Sequence, residues 1–455
     1  MGAELTQAGT TPLETPVPPR APARTLLRLA TAGSVDDGKS TLVGRLLHDT
    51  KNVLVDQMDA VERVSKERGL TAADLALLTD GLRAEREQGI TIDVAYRYFA
   101  TPERAYVLAD CPGHVQYTRN TVTGSSTADV VVLLTDARKG VLEQTRRHLA
   151  VAALLRVQHV IVAVNKIDLV DFSQEVFTTI AEQIGQIAAE LGVTSVFAIP
   201  TSALGGDNIV DRSASTPWYQ GPTLLELLET LPVGGDDQTG LRFPVQSVIR
   251  PQQASLDGNP DFRGYGGRIA AGEVAVGDEV VVANSGGRTT VAGIQLGERE
   301  LQRAAAPLSV TLRLADEIDI ARGDTIVAAT DAPPVVQQFH ATVCWLAEQP
   351  LVGRTRLLVK HGSATSQAIV TNIVGRLDLD TLAEVPADQL GLNDIGTVEV
   401  RLSQPLPVQD YAESRAQGAF LLIDGPSGAT RGAGMARFST EDRDIASGTS
   451  PDWNL

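Results

Sequence analysis

Cysteine is almost missing from this chain: Cys111 and Cys344 are the only two, with no CxxC and no neighbouring His pair. That excludes a disulfide framework and a zinc site, and it fits a reducing cytoplasm. No run of 18 apolar residues occurs, so no membrane span is expected. Residues 1–24 are rich in Pro, Thr and Ala and lack the apolar stretch of a secretion signal. They read as a disordered lead-in. Positive charge is also scarce. Lys and Arg total 39 against 56 Asp and Glu, a formal net charge of −17, which disfavours non-specific binding to nucleic acid or anionic lipid.

What is present is ample for folding. With 455 residues and 43% apolar side chains, the chain is too long for one core and suits several domains. Across 25–235, short continuous apolar runs such as Val130-Val131-Val132-Leu133-Leu134 and Val160-Ile161-Val162-Ala163-Val164 alternate with helical patterns at Glu143 to Arg156 and Ser173 to Leu191. Runs of that kind suit strands buried on both faces, so the alternation predicts a doubly wound, mostly parallel α/β sheet. Beyond it, 241–332 and 336–437 carry short valine-rich strands broken by glycine, the texture of two small β-barrels. Residues 438–455 form a polar tail. The stretch Ser285-Gly286-Gly287-Arg288-Thr289 faintly resembles an ATP-pyrophosphatase loop but lacks its aspartate, and a hairpin turn is expected there.

Three sequence motifs follow buried strands in order. Gly33-Ser34-Val35-Asp36-Asp37-Gly38-Lys39-Ser40-Thr41 matches GxxxxGK[ST] directly after an apolar strand. Its glycines let backbone N–H groups turn toward phosphate oxygens, Lys39 neutralises the phosphates, and the Ser40 hydroxyl is the expected Mg²⁺ ligand. With six lysines in the chain, a chance match to this pattern is under about one per cent. Asp110-Cys111-Pro112-Gly113-His114 comes next. Asp110 is expected to reach Mg²⁺ through water, Gly113 to approach the γ-phosphate, and His114 to position the attacking water. Between the two, Thr91 in Gln88-Gly89-Ile90-Thr91 is expected to close over the nucleotide and Mg²⁺ as a switch. Cys111 reads as a small packing residue.

Asn165-Lys166-Ile167-Asp168 ends the Val160 strand. A carboxylate at Asp168 accepts from guanine N1–H and the 2-amino group, which adenine cannot offer; buried sites of this type discriminate by a factor on the order of 10⁴. Asn165 is expected to serve the other edge of the base and Lys166 to lay its stem along it. Ser202-Ala203-Leu204 follow a further strand and are expected to offer backbone N–H groups to the guanine oxygen. GTP with Mg²⁺ is therefore the expected cofactor.

The order GSVDDGKS, GIT, DCPGH, NKID, SAL resembles that of translation-factor GTPases. The stretches Gly33 to Leu47, Thr79 to Phe99 and Asp110 to Asn120 resemble more closely the large, GTPase subunits of bacterial sulfate adenylyltransferases. That resemblance implies a P-loop GTPase domain followed by two barrels, and a cytoplasmic heterodimer or higher assembly. It also implies a small catalytic subunit that joins ATP and sulfate into adenosine 5′-phosphosulfate and pyrophosphate, driven by GTP hydrolysis here, in sulfate assimilation toward cysteine. None of the six histidines stands in an HxGH arrangement, so the adenylyl transfer is expected on the partner. No second GxxxxGK[ST] occurs, so no fused adenylyl-sulfate kinase is expected. The alternatives are an elongation-factor-like GTPase carrying aminoacyl-tRNA and a regulatory GTPase without a metabolic reaction; the acidic charge speaks against nucleic acid and membrane as partners.

Overall fold

The computed structural model describes residues 25–67, 73–78, 93–113, 118–233, 240–250, 262–378, 381 and 383–438. Thr91, His114, the lead-in 1–24 and the tail beyond Phe438 lie outside the described residues.

The amino-terminal unit is a six-stranded sheet built from β1 (Thr25–Gly33), β2 (Ala95–Ala100), β3 (Arg104–Asp110), β4 (Val130–Asp136), β5 (His159–Asn165) and β6 (Val196–Pro200), in the order β2-β3-β1-β4-β5-β6. All neighbours run parallel except β2, which is antiparallel to β3. β4 and β5 are buried at every position, because helices cover both faces. Val130, Val132, Leu134, Ile161 and Ala163 share one core with Leu42 and Leu46 of α1 (Lys39–Asp49) and Leu228 of α6 (Leu224–Thr230). The alternate residues Val131, Leu133, Val160 and Val162 face the opposite way. They pack with Val122 of α3 (Thr118–Ser125), Leu149 of α4 (Glu143–Leu154) and Ile184 of α5 (Gln174–Glu190). α2 (Val55–Glu67) lies outside this sandwich and buries only Val61 and Ser65. Each fully buried aliphatic side chain contributes about 1.5–3 kcal/mol, so two-sided burial is what fixes the layer.

Two closed antiparallel barrels follow. In the first, the strands Glu279–Val282, Thr325–Ala328, Arg242–Ile249, Gly264–Arg268, Ser309–Leu314 and Arg288–Leu296 pair in that order, and the last pairs back to the first. In the second, Thr355–His361, Ala419–Ile423, Thr430–Arg437, Val336–Trp345, Ile395–Leu406 and Ala364–Leu377 close likewise. Closure leaves no free strand edge around the ring. The stretch Ser285 to Thr289 is the expected hairpin: Gly286 N–H donates to Val282 O (2.8 Å), Val282 N–H donates to Gly287 O (2.9 Å), and Gly286 sits at φ 72°.

The second barrel is fused to the sheet unit through apolar packing. Cys344, Leu346, Ile395, Tyr411 and Met435 belong to the same core as α4 and α5. Tyr411 Oη donates to Leu155 O (3.0 Å), and the Arg415 guanidinium donates to Ser126 O (2.9 Å) and Ala128 O (3.2 Å). Between the barrels, buried Arg242 donates to Asp331 (3.0 Å) and Gln409 (3.1 Å). No helix among the described residues is long and apolar enough to cross a membrane.

Candidate nucleotide site

The loop between β1 and α1 turns sharply on three residues with positive φ: Gly33 (145°), Asp36 (65°) and Gly38 (95°). A Cβ on Gly33 would meet Leu134 O at 2.8 Å, and one on Gly38 would meet the Asn165 amide nitrogen at 2.5 Å. Glycine is therefore required at both places, by conformation and by space. Asp36 tolerates the left-handed region better than most side chains.

Lys39 folds over this loop and donates to Gly33 O (2.9 Å) and Ser34 O (2.7 Å). Burial lowers the affinity of its amine for the proton, while the carboxylates of Asp37 and Asp110 oppose that shift. Asp37 is buried, and its Oδ2 accepts the Ser34 N–H (2.7 Å). Burial pushes this carboxyl above its usual range against the pull of the Ser34 N–H and Lys39. Asp37 Oδ1 and Ser34 Oγ are buried without a hydrogen-bond partner among the described residues. The loop is thus a cradle with polar atoms left over and a cation across it, a donor set that fits nucleotide phosphates. Val35 and Ser40 are half-buried at its rim, and Thr41 continues α1.

Asp110 closes β3 beside the cradle. Its Oδ1 accepts from Thr31 Oγ (2.7 Å), and that hydroxyl in turn accepts the Cys111 N–H (3.2 Å). The Cys111 thiol is fully buried, which pushes its pKa far up and makes it a packing group. Pro112 O accepts from Thr121 Oγ (3.3 Å), which ties the turn to α3. A Cβ on Gly113 would collide with the Lys39 ammonium and lie 2.6 Å from Gly33 O. Only glycine lets this turn press against the cradle. No three His, Cys, Asp or Glu side chains group as a metal site among the described residues. The Ser40 hydroxyl and the Asp110 carboxylate are the hard oxygen donors that would suit Mg²⁺ beside phosphates.

The base side differs from expectation in detail. Asn165 Nδ2 donates to Asp37 O (2.7 Å), and its Oδ1 accepts the Ala203 N–H (2.9 Å). Asn165 therefore ties the phosphate cradle to the Ser202–Leu204 loop. The Ala203 N–H, expected to face the guanine oxygen, is already taken. Lys166 sits at φ 60° and pairs its ammonium with buried Asp136 (3.1 Å) while also reaching Asp36 O. It braces the cradle as well as flanking the base position. Ser202 is buried, and its hydroxyl accepts the Gly205 N–H (3.1 Å). Leu204 is exposed, and its carbonyl receives Arg45 (2.5 Å). Asp168 is half-buried in the short 3-10 turn Ile167–Val170 that follows β5.

Several residues outside the motifs complete the site. Asp136 ends β4 and takes Arg138 (2.7 and 3.0 Å) together with Lys166. Burial pushes its carboxyl up, but the bonds from Arg138 and Lys166 outweigh this and hold it well below the usual carboxylate range. His148 of α4 is buried against the Gly33 backbone, with Gln144 at 3.2 Å, and burial beside Lys39 pushes its pKa down to about 3. An Asp closing the apolar run Val130 to Thr135 was a readable signal for Asp136; a lone His in a helix gave none.

The comparisons with known proteins bear on a cradle of this kind. The family model described as elongation factor Tu GTP binding domain matches residues 24–233, and that described as GTP-eEF1A C-terminal domain-like matches 338–437. The Bifunctional enzyme CysN/CysC of Mycobacterium tuberculosis is 50% identical over 414 residues, covering 90% of this chain and 67% of that protein. Sulfate adenylyltransferase subunit 1 of Alteromonas mediterranea is 47% identical, with 90% of this chain and 86% of that one covered. The Citrobacter koseri protein of the same name is 48% identical over 92% and 87%. Identity at that level, over nine-tenths of this chain and two thirds or more of each relative, means that the chain belongs to the sulfate adenylyltransferase subunit 1 family.

Proposed function

We propose that this chain hydrolyses GTP to drive the joining of ATP and sulfate into adenosine 5′-phosphosulfate and pyrophosphate on a small catalytic partner subunit. The proposed setting is cytoplasmic sulfate assimilation toward cysteine. The observation that carries the reading is the convergence of Lys39, Asp110 and Gly113 on one glycine-turned cradle, which Asn165 ties to the base loop. It is joined by the names of the relatives, each a sulfate adenylyltransferase subunit or a bifunctional relative of one.

When bound, GTP supplies the phosphoanhydride whose cleavage releases the driving free energy, and Mg²⁺ neutralises its phosphates. The residues then divide the work. The N–H groups of Gly33 to Thr41 hold the phosphates, and Lys39 leaves the Gly33 and Ser34 carbonyls to meet them. Ser40, Asp110 and Thr91 hold the metal, directly or through water. Gly113 brings its N–H against the γ-phosphate position, and His114 orients the attacking water. Asp168 selects guanine through the two donors adenine lacks.

The test is the GTPase rate of the native complex, with and without ATP plus sulfate. The expected result is a rate stimulated at least tenfold, with pyrophosphate released alongside. Competent GTP turnover that ignores both substrates would overturn the coupling; tight binding of aminoacyl-tRNA in its place would mark a translation factor.

A further inference from the structure

A cavity of about 1220 Å³ lies where the sheet unit and the two barrels meet. Its charged lining comes from all three: Arg28, Asp129 and Arg156 from the sheet unit, Arg268 from the first barrel, and Lys360 and Arg415 from the second. Among the described residues, five cations and one acid thus line it, in a chain whose net charge is −17. That acid is held in place, since Asp129 Oδ2 accepts the Arg28 backbone N–H (2.8 Å), and it offsets only one of the five charges. Arg415 holds Ser126 O and Ala128 O, and Arg268 holds Pro307 O (3.2 Å). Among the described residues, Arg28, Arg156, Arg268 and Lys360 enter no ion pair. Much of the remaining wall is apolar, with Leu155 and Met435 among it.

Like charges gathered around a concave surface repel one another and focus a positive field into it. In a protein this acidic, chance does not readily place five cations around one cavity with a single acid among them. We propose that the three-way junction is a second anion site, separate from the nucleotide cradle. Its ligand is a small molecule bearing at least two phosphate or sulfate groups. Free pyrophosphate and a phosphorylated nucleoside share that chemistry, and the apolar share of the wall favours the nucleoside. Because the cations belong to three units, the anion binds best when those units stand as they do here, and it stabilises that arrangement by mass action. Linkage then makes its affinity depend on whatever nucleotide state moves the units apart.

The test uses the full chain saturated with Mg²⁺ and a non-hydrolysable GTP analogue, so that the cradle is filled. Adenosine 3′,5′-bisphosphate and pyrophosphate are titrated separately by calorimetry at fixed ionic strength. The expected result is one further equivalent of adenosine bisphosphate per chain. Its affinity should fall at least tenfold in R156E and, separately, in K360E, which alter different units, with the affinity for the analogue unchanged. Absence of further binding, or binding that survives both substitutions, overturns the site. Pyrophosphate bound as tightly as the bisphosphate overturns the nucleoside preference.

Discussion

Single residues decide whether the cradle exists. Gly33, Gly38 and Gly113 are demanded by contacts with Leu134, Asn165 and Lys39, which are remote from them in sequence or approached across a turn. The motif glycines were legible in the sequence because GxxxxGK[ST] encodes local conformation. The partners Thr31 and His148 were not, since each acts on a residue dozens of positions away and carries no local signature. Thr91 and His114 lie outside the described residues, so their roles rest on the motif alone. His148 permits a test by pH. An unfolded chain leaves its imidazole near the ordinary ~6.5, whereas the fold holds it at about 3. Between those values the unfolded state binds the extra proton. Stability is therefore retained above about 6.5 and lost as pH falls toward 3, by up to about 1.4 kcal/mol per pH unit. His361 is buried with its pKa also lowered, so it adds a second loss of the same sign. Urea midpoints at pH 7.5 and pH 5 should therefore differ less in His148→Gln than in the parent; equal differences would dismiss the effect.

At the scale of elements, the strands that could be read were those buried on both faces, because continuous apolar runs leave no other account. β2 escaped that logic. Its sequence Ala-Tyr-Arg-Tyr-Phe-Ala alternates, and Tyr96 and Tyr98 are exposed at 47% and 77% on the sheet's edge. One-sided edge strands have half the hydrophobic signal, and β2 owes its place to pairing with β3. Two helix starts are set by side-chain caps. Ser173 Oγ accepts the Val176 N–H at the start of α5 (3.3 Å). For α6, Thr223 and Glu226 bond each other's backbone N–H groups (3.2 and 2.8 Å). α6 has only 7 residues, too few to persist unaided. Thr223→Ala is expected to cost about 1 kcal/mol of stability. Faster amide exchange confined to α6 would accompany it, and unaltered exchange there would show the cap to be idle.

On the scale of the whole molecule, the sheet unit and the second barrel share one apolar core. The buried Tyr411 hydroxyl bond to Leu155 O crosses their seam, and its removal leaves a carbonyl unsatisfied in an apolar setting. Tyr411→Phe should destabilise the pair by about 1 kcal/mol, read as a lower denaturation midpoint with guanine-nucleotide affinity preserved at saturating stability. An unchanged midpoint would mean that the packing alone holds the seam. The α/β-then-barrels order was legible from the change in strand texture after Leu231. The seam was not, because apolar residues such as Ile395 and Met435 look alike whether they face their own barrel or a neighbour.

That shared core also says where the gene can be cut. The first barrel keeps its apolar cluster within Leu241 to Ala328, so it is the fragment suited to solitary expression. A truncation after Val233 bares the flank of α4 and α5 that Cys344, Leu346, Ile395 and Met435 now cover. The resulting piece keeps a complete-looking nucleotide motif set, yet it emerges from the ribosome with a sticky side that only the distant carboxy-terminal third of the chain can shield.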